Sequence, residues 1–244
     1  MGQVVVTGGG TGIGKAIAAA FAQAGNGVVI TGRRPEPLAA AAAAIGGAVT
    51  AVPFDAADPA QVERALPELP ATVDVLVNTA GGNTDIGASE AVTLAEVAAA
   101  WRANLGSNVL SAVLVTAALR PRLARGGAVI SFSSIAAHRP GAGSYSAAKA
   151  AIEAWNQTLA HEVGPDQITA NVIAPGFIEG TEFFRGRMTD ERRETLTAQT
   201  ATGRAGTPAD IAATVLFLAS PAAQHITGQV IHVNGGALSR SAGI

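Results

Sequence analysis

The chain has no cysteine among its 244 residues. That absence excludes a disulfide framework, a thiolate nucleophile and a cysteine-ligated metal. Aromatic residues are scarce at 4%, so a core has to be assembled from Ala, Val, Ile and Leu rather than from rings. Charged residues reach only 14%, and a net charge of -2 without a run of Lys or Arg leaves no electrostatic footprint for a nucleic acid or an anionic membrane. A small-molecule partner is expected instead. The longest wholly apolar run, Leu38 to Ile45, falls far short of the roughly 18 to 20 residues that span a bilayer. The N-terminus enters Val4-Val5-Val6 at once, with neither a basic segment nor a small-residue cleavage site, so no secretory leader is expected and a cytoplasmic location follows. His138, His161, His225 and His232 show no paired metal spacing; none is read as catalytic and no metal is expected. What the chain does have is aliphatic bulk: 48% of it is hydrophobic, which is a folding composition. Its length fits one domain over 1–244, with no linker, charge block or internal repeat to divide it.

Short β-branched runs recur at 4–6, 28–31, 49–52, 73–77, 129–132, 168–172 and 230–233, separated by Ala-rich helical stretches. Several of these runs are apolar on successive residues, the pattern of strands buried on both faces. Strands alternating with helices in this way predict an α/β chain, a doubly wound parallel sheet of about seven strands with helices on both faces. Asp58-Pro59 and Thr207-Pro208 each place a capping residue before a proline at a first helical position. Gly25, Gly27 and Gly46-Gly47 mark helix stops.

Thr7-Gly8-Gly9-Gly10-Thr11-Gly12-Ile13-Gly14 lies between the first strand and a helical stretch over 15–24. Backbone amides and a helix N-terminus converge above such a loop, which suits a phosphate. Gly8 permits the tight turn, Gly12 the close approach of a diphosphate, and Gly14 the packing of helix on strand. Gly9 to Lys15 also fits a P-loop, but Ala16 follows where a hydroxyl must hold magnesium, so a nucleotide triphosphatase is disfavoured. After the second strand, where a dinucleotide fold meets the adenosine ribose, stand Arg33 and Arg34 and no carboxylate. That favours the 2′-phosphate of NADP(H) over the 2′-hydroxyl of NAD(H). Asp55 closes the third strand and serves either the adenine or a turn beside the Asp58 cap.

Tyr145 is the sole tyrosine, and Lys149 is one of only two lysines against 14 arginines. Their spacing of four puts both on one helical face. A cation about 4 Å from a phenol contributes roughly 4 kcal/mol at an effective dielectric near 20, enough to pull the phenol down toward neutrality and make it a usable acid.

With these motifs in order, the chain resembles a classical short-chain dehydrogenase/reductase over essentially its whole length, and in particular the 3-oxoacyl-carrier-protein reductase branch. Thr7 to Gly14 resembles the family's cofactor loop, Asn78-Thr79-Ala80-Gly81 its N-N-A-G segment, and Ser133-Ser134 followed by Tyr145 and Lys149 its catalytic Ser and Y-x-x-x-K pair. Pro175-Gly176-Phe177-Ile178 is similar to the nicotinamide-side loop, with Thr181 as its hydroxyl. The resemblance implies a Rossmann-type fold and hydride exchange between NADP(H) and a carbonyl or alcohol. The catalytic residues it implies are Asn104, Ser134, Tyr145 and Lys149. Cofactor contacts would come from Gly8, Thr11, Gly12, Ile13, Gly14, Arg33, Arg34, Asp55, Asn78, Ala80, Gly81, Tyr145, Lys149, Pro175, Gly176, Ile178 and Thr181. In that scheme Asn104 anchors a water chain to Lys149, although a polar residue that merely bends its helix would read the same way. It also implies a homotetramer. Three departures stand out: Thr79 replaces the second Asn of N-N-A-G, Ser134 precedes Tyr145 more closely than is usual, leaving Ser133 a second candidate, and Gly180 is an extra residue before Thr181. The segment 177–202 occupies the place of the substrate lid, and Trp101 and Trp155 are read as core or interface residues. The alternative from another class is a cofactor-binding regulator without turnover, which would need a broken Tyr/Lys pair.

Overall fold

The structure, a computed structural model, describes residues 2–239. Seven strands form one parallel sheet: β1 (Gln3–Thr7), β2 (Gly27–Gly32), β3 (Val49–Pro53), β4 (Val73–Asn78), β5 (Leu123–Phe132), β6 (Thr169–Pro175) and β7 (Val230–Val233). Their order is β3-β2-β1-β4-β5-β6-β7. The chain winds outward from β1 to β3, then returns to the other side of β1 and winds through β4 to β7. The order therefore reverses between β1 and β4, and at such a switch point the carboxyl ends of the strands open a crevice.

Both sheet faces are buried, as the continuous apolar runs predict. In β1, Val4 and Val6 enter one core and Val5 the other; in β2, Val28 and Ile30 divide from Val29 in the same way. Helices α1 (Gly12–Gln23) and α2 (Pro35–Ile45) cover the first face through Ile17, Phe21, Leu38 and Ala41. The second face is covered by α3 (Pro59–Ala65), through Val62. Helix α4 (Leu94–Leu105) passes through a π-turn, Gly106–Leu110, into α5 (Ser111–Leu119), whose Val115 and Leu119 also join the second core. Leu159 and Val163 of α6 (Gly143–Val163) complete that layer. After β6 come α7 (Asp190–Ala198) and α8 (Pro208–Leu218), and α8 returns Ile211, Val215 and Leu218 to the first face.

Both predicted proline-marked helix starts form. Asp58 accepts from the backbone N–H groups of Ala60 and Gln61, and Thr207 and Asp210 make a reciprocal capping box at α8. β5 begins at Leu123, well before the β-branched run at 129–132. Arg125-Gly126-Gly127 carries a register break opposite 73–75, with Gly126 at a φ of 78°. Trp155 packs against the second core, whereas Trp101 on α4 is 44% exposed. Among the described residues no helix is long and apolar enough to cross a membrane, and no group of His, Asp and Glu is arranged to hold a metal ion.

Candidate active site

A cleft of about 860 Å³ opens at the switch point. Its walls include Gly8, Thr11, Gly12, Ile13 and Gly14 after β1, Arg33 and Arg34 after β2, and Asp55 after β3. They continue through Ala80 and Gly81 after β4, Ser134 after β5, Tyr145 and Lys149 on α6, and Pro175, Gly176, Ile178 and Thr181 after β6. Residues spread over most of the sequence thus meet in one space because each follows the carboxyl end of a parallel strand or stands on the helix beside it.

At the glycine end the backbone itself forms the cradle. Gly8 has a φ of 68°, and a Cβ there would lie 2.9 Å from the Ala80 amide; a Cβ on Gly14 would collide with the Gly8 carbonyl. Thr79, in place of an asparagine, donates its hydroxyl to the Thr7 carbonyl beneath the loop, and the Thr7 hydroxyl accepts from the Ala80 amide at 3.1 Å. Thr181 stands opposite, 3.5 Å from where a Gly12 Cβ would be, so the extra Gly180 does not carry it out of the cleft.

The helix caps point the same way. α3, α4, α7 and α8 have side-chain caps from Asp58, Thr93, Thr189 and Thr207. The residues before α1 and α6, Thr11 and Ala142, make no side-chain cap and both border the cleft; Arg34 before α2 makes none either, but Pro35 and Pro37 leave that helix start almost without free amides. N-terminal amides left without a partner from the chain's own side chains are donors for an anion. This cradle fits a dinucleotide diphosphate. Arg33 and Arg34 are exposed at its far edge, and Arg34 pairs with Glu182 at 2.9 Å.

At the other end Tyr145 and Lys149 are both buried. Ser134 lies near enough to Tyr145 to lower its phenol, and its hydroxyl accepts from the Ala136 amide at 3.2 Å, while the neighbouring Ser133 hydroxyl is taken up by the Glu153 carboxylate at 2.5 Å. Of the two serine candidates, Ser134 is the one that acts on the phenol and Ser133 is bound within the protein. One expectation is corrected. Burial pushes the Tyr145 phenol up to about 12, against a smaller downward pull from Ser134, and burial lowers Lys149 to about 8. The lysine does not draw the phenol down because its Nζ lies 5.7 Å from the ring centroid and donates to the Phe132 carbonyl at 2.9 Å. Four residues along a helix ensure a shared face, not a hydrogen bond.

Two sequence-derived residues lie outside the cleft lining. Asn78 is buried at the end of β4, where its amide donates to Thr116 at 2.9 Å and Ser131 at 3.4 Å. Asn104 is buried beside the cleft: its carboxamide donates to the Ser144 hydroxyl at 2.9 Å and accepts from the amide of the lining residue Thr84 at 3.1 Å. The residue that sequence reasoning passed over is Asn108, one turn further along and inside the π-turn. Its carboxamide brackets Gly82, accepting from that amide and donating to that carbonyl, both at 3.0 Å. The spacing of four from Asn104 was the available signal.

Polar chemistry at one end of a cleft and phosphate-binding backbone at the other, at the switch point of a doubly wound sheet, put the chain among the Rossmann-type oxidoreductases. Comparison with known proteins makes the assignment specific. Residues 8–237 match the family described as Enoyl-(Acyl carrier protein) reductase. The 3-oxoacyl-[acyl-carrier-protein] reductase FabG of Chlamydia muridarum is 40% identical over 245 residues, covering 95% of each chain. The short-chain reductase protein NovJ of Streptomyces niveus is 36% identical over 250 residues, covering 95% of this chain and 92% of its own. Among solved structures, a short-chain type dehydrogenase/reductase from Mycobacterium ulcerans matches with a TM-score of 0.88 at 33% identity, covering 98% of this chain and 90% of that one. A short chain dehydrogenase from Burkholderia cenocepacia J2315 in complex with NADP matches at 0.86 and 33%, covering 97% and 98%. The chain belongs to the short-chain dehydrogenase/reductase family and is similar to its 3-oxoacyl-carrier-protein reductases.

Proposed function

We propose that the chain is an NADP(H)-dependent oxidoreductase that moves hydride between the nicotinamide and the carbonyl or secondary alcohol carbon of a ketone or 3-oxoacyl-type substrate, with Tyr145 as general acid/base. The observation that carries this reading is that Tyr145, Ser134 and Lys149 border the same cleft as Arg33 and Arg34. A bound nicotinamide supplies or accepts the hydride. In the reducing direction the buried phenol, fully protonated at neutral pH, donates to the developing alkoxide, and the Ser134 hydroxyl donates a hydrogen bond to the same oxygen. Lys149 brings a cation to that corner and a donor for the nicotinamide ribose. Asn108, clasping Gly82, holds the Ala80-Gly81 wall in place and is a positioning residue rather than a catalytic one.

Arg33 and Arg34 support the phosphorylated cofactor, and related structures contain NADP and NADPH. The intact Tyr/Lys pair speaks against a regulator without turnover. The proposal extends to a single domain over 1–244, a homotetramer and a cytoplasmic location. The test is a spectrophotometric screen of NADPH and NADH oxidation over ketones, 3-oxoacyl thioesters and ketoses. A charge-assisted phosphate contact contributes roughly 1.5 to 3 kcal/mol, so kcat/KM with NADPH is expected to exceed that with NADH by at least about tenfold. Equal or better values with NADH would overturn the cofactor assignment, and no consumption with any carbonyl would overturn hydride transfer.

A further inference from the structure

The Tyr145 side of the cleft carries a row of four rings. Ring centroids of Tyr145 and Phe183 lie 5.8 Å apart, those of Phe183 and Phe184 5.1 Å, and those of Phe184 and Phe177 6.1 Å. Beside the third ring the Arg192 guanidinium stands 5.1 Å from the Phe184 centroid. Three of the chain's seven phenylalanines are gathered here although the fold does not need them, since the buried core takes its phenylalanines from Phe21, Phe54 and Phe132. In a chain this poor in aromatics, three half-buried rings on the segment after β6 form a surface for something that is not the chain itself.

Two polar groups beside the row, the Asn83 side-chain oxygen and the Arg185 guanidinium, are already engaged within the protein. Asn83 accepts from the Asp85 amide at 2.9 Å, and Arg185 donates to the carbonyls of Ile86 and Asn83 at 3.1 and 3.4 Å. Arg193 pairs with Glu179 at 2.9 Å, but Arg192 makes no ion pair among the described residues. A substrate entering beside Tyr145 therefore meets the Ser134 and Tyr145 hydroxyls at the reacting end, aromatic faces along its length and an available guanidinium at the far end. A small hydroxy ketone or a ketose would have hydroxyls desolvated against the rings, which offer them no hydrogen bond, and that is unfavourable. A flat apolar group would gain burial and ring contacts instead.

Resting on the carbonyl-reduction reading above, we propose that the substrate is a ketone with an aromatic or fused-ring group next to the carbonyl, and that an anionic group at its distal end is held by Arg192. The test compares kcat/KM with NADPH for hydroxyacetone, acetophenone and 4-acetylbenzoate. Acetophenone is expected to exceed hydroxyacetone by at least about tenfold through ring burial and ring contacts, and 4-acetylbenzoate to exceed acetophenone by about three- to tenfold through a charge-assisted contact. Phe183→Ala is expected to shrink the first ratio and Arg192→Ala the second. Hydroxyacetone turned over as well as acetophenone, or ratios untouched by both variants, would overturn the class. Calorimetric binding of the same three ketones to protein saturated with NADP⁺ separates the two readings. Affinities in the expected order without turnover support the substrate class and overturn hydride transfer; equal affinities overturn the class.

Discussion

Tyr145 and Lys149 owe their titration to burial rather than to each other. Tyr145→Phe keeps the ring and removes the proton donor, so turnover is expected to fall by about 10²- to 10⁴-fold while NADPH affinity, read by fluorescence titration, stays close to wild type. Lys149→Arg retains the charge but replaces a compact ammonium with a rigid fork that cannot occupy the space under the Phe132 carbonyl, and activity is expected to be lost as well. Retention of most of kcat in either variant would remove the assigned roles. The same two residues make a stability prediction. Lys149 is lowered from 10.5 to about 8, so the folded protein gives up this proton more readily than the unfolded chain, and its unfavourable contribution below pH 8 is relieved as pH rises toward 10.5. Tyr145 is raised from 10.0 to about 12, so its favourable contribution is complete below pH 10 and is lost as pH climbs through 12. Between pH 8 and 10 the lysine acts alone. The unfolding free energy of the cofactor-free protein, measured against Lys149→Met by urea titration, is therefore expected to increase over that interval. A flat or falling difference would show that the ammonium is not desolvated.

At the scale of elements, the helix N-termini sort into two groups with different work to do. Those capped by Asp58, Thr93, Thr189 and Thr207 have their own side chains for partners, whereas α1 and α6 begin without a side-chain cap at the border of the cleft. The caps were legible in sequence where a proline followed, as at Asp58 and Thr207. The π-turn at Gly106–Leu110 was not, because no local signal separates it from an α-helix until α6 and the Gly81-Gly82 segment are packed against it. It carries Asn108, which holds Gly82, just after Asn104, which holds Thr84. The segment 177–202 combines exposed charged side chains with the half-buried rings of Phe177, Phe183 and Phe184, and Arg34–Glu182, Arg193–Glu179 and Arg193–Asp190 are its exposed ion pairs. Such pairs contribute about 0 to 1 kcal/mol, too little to hold a segment closed. Its amides are expected to exchange with solvent faster than those of Val73–Asn78 when no substrate is present, and equal protection would argue against a mobile lid.

For the whole molecule, the notable surface is α4 and the turn before it. Val92 and Leu94 are 86% and 88% exposed, and Trp101 lies half-exposed on the same helix. Large apolar side chains grouped on one exposed helix mark an association surface. The proposed homotetramer would cover it. Wild-type protein is expected to sediment as four copies, and Leu94→Glu combined with Trp101→Glu to sediment as a smaller species, by analytical ultracentrifugation. A monomeric wild type, or a double variant that remains tetrameric, would rule out this face.

The sequence by itself determined the doubly wound parallel sheet, because successive rather than alternating apolar residues in the strands are stable only between two helical layers. It also determined the cofactor loop and the Tyr145–Lys149 pair, because a glycine loop between strand and helix and a four-residue spacing are local facts whose geometry follows from backbone rules. Tertiary structure alone decided the rest. Which of Ser133 and Ser134 is left free beside the phenol depends on Glu153 drawing the Ser133 hydroxyl away. That Asn104 and Asn108 hold the Gly82–Thr84 wall of the cleft depends on contacts between segments 20 or more residues apart. The direction in which Tyr145 and Lys149 titrate depends on how much solvent the assembled fold takes from them, a property of every element around the cleft and of no stretch of sequence within it.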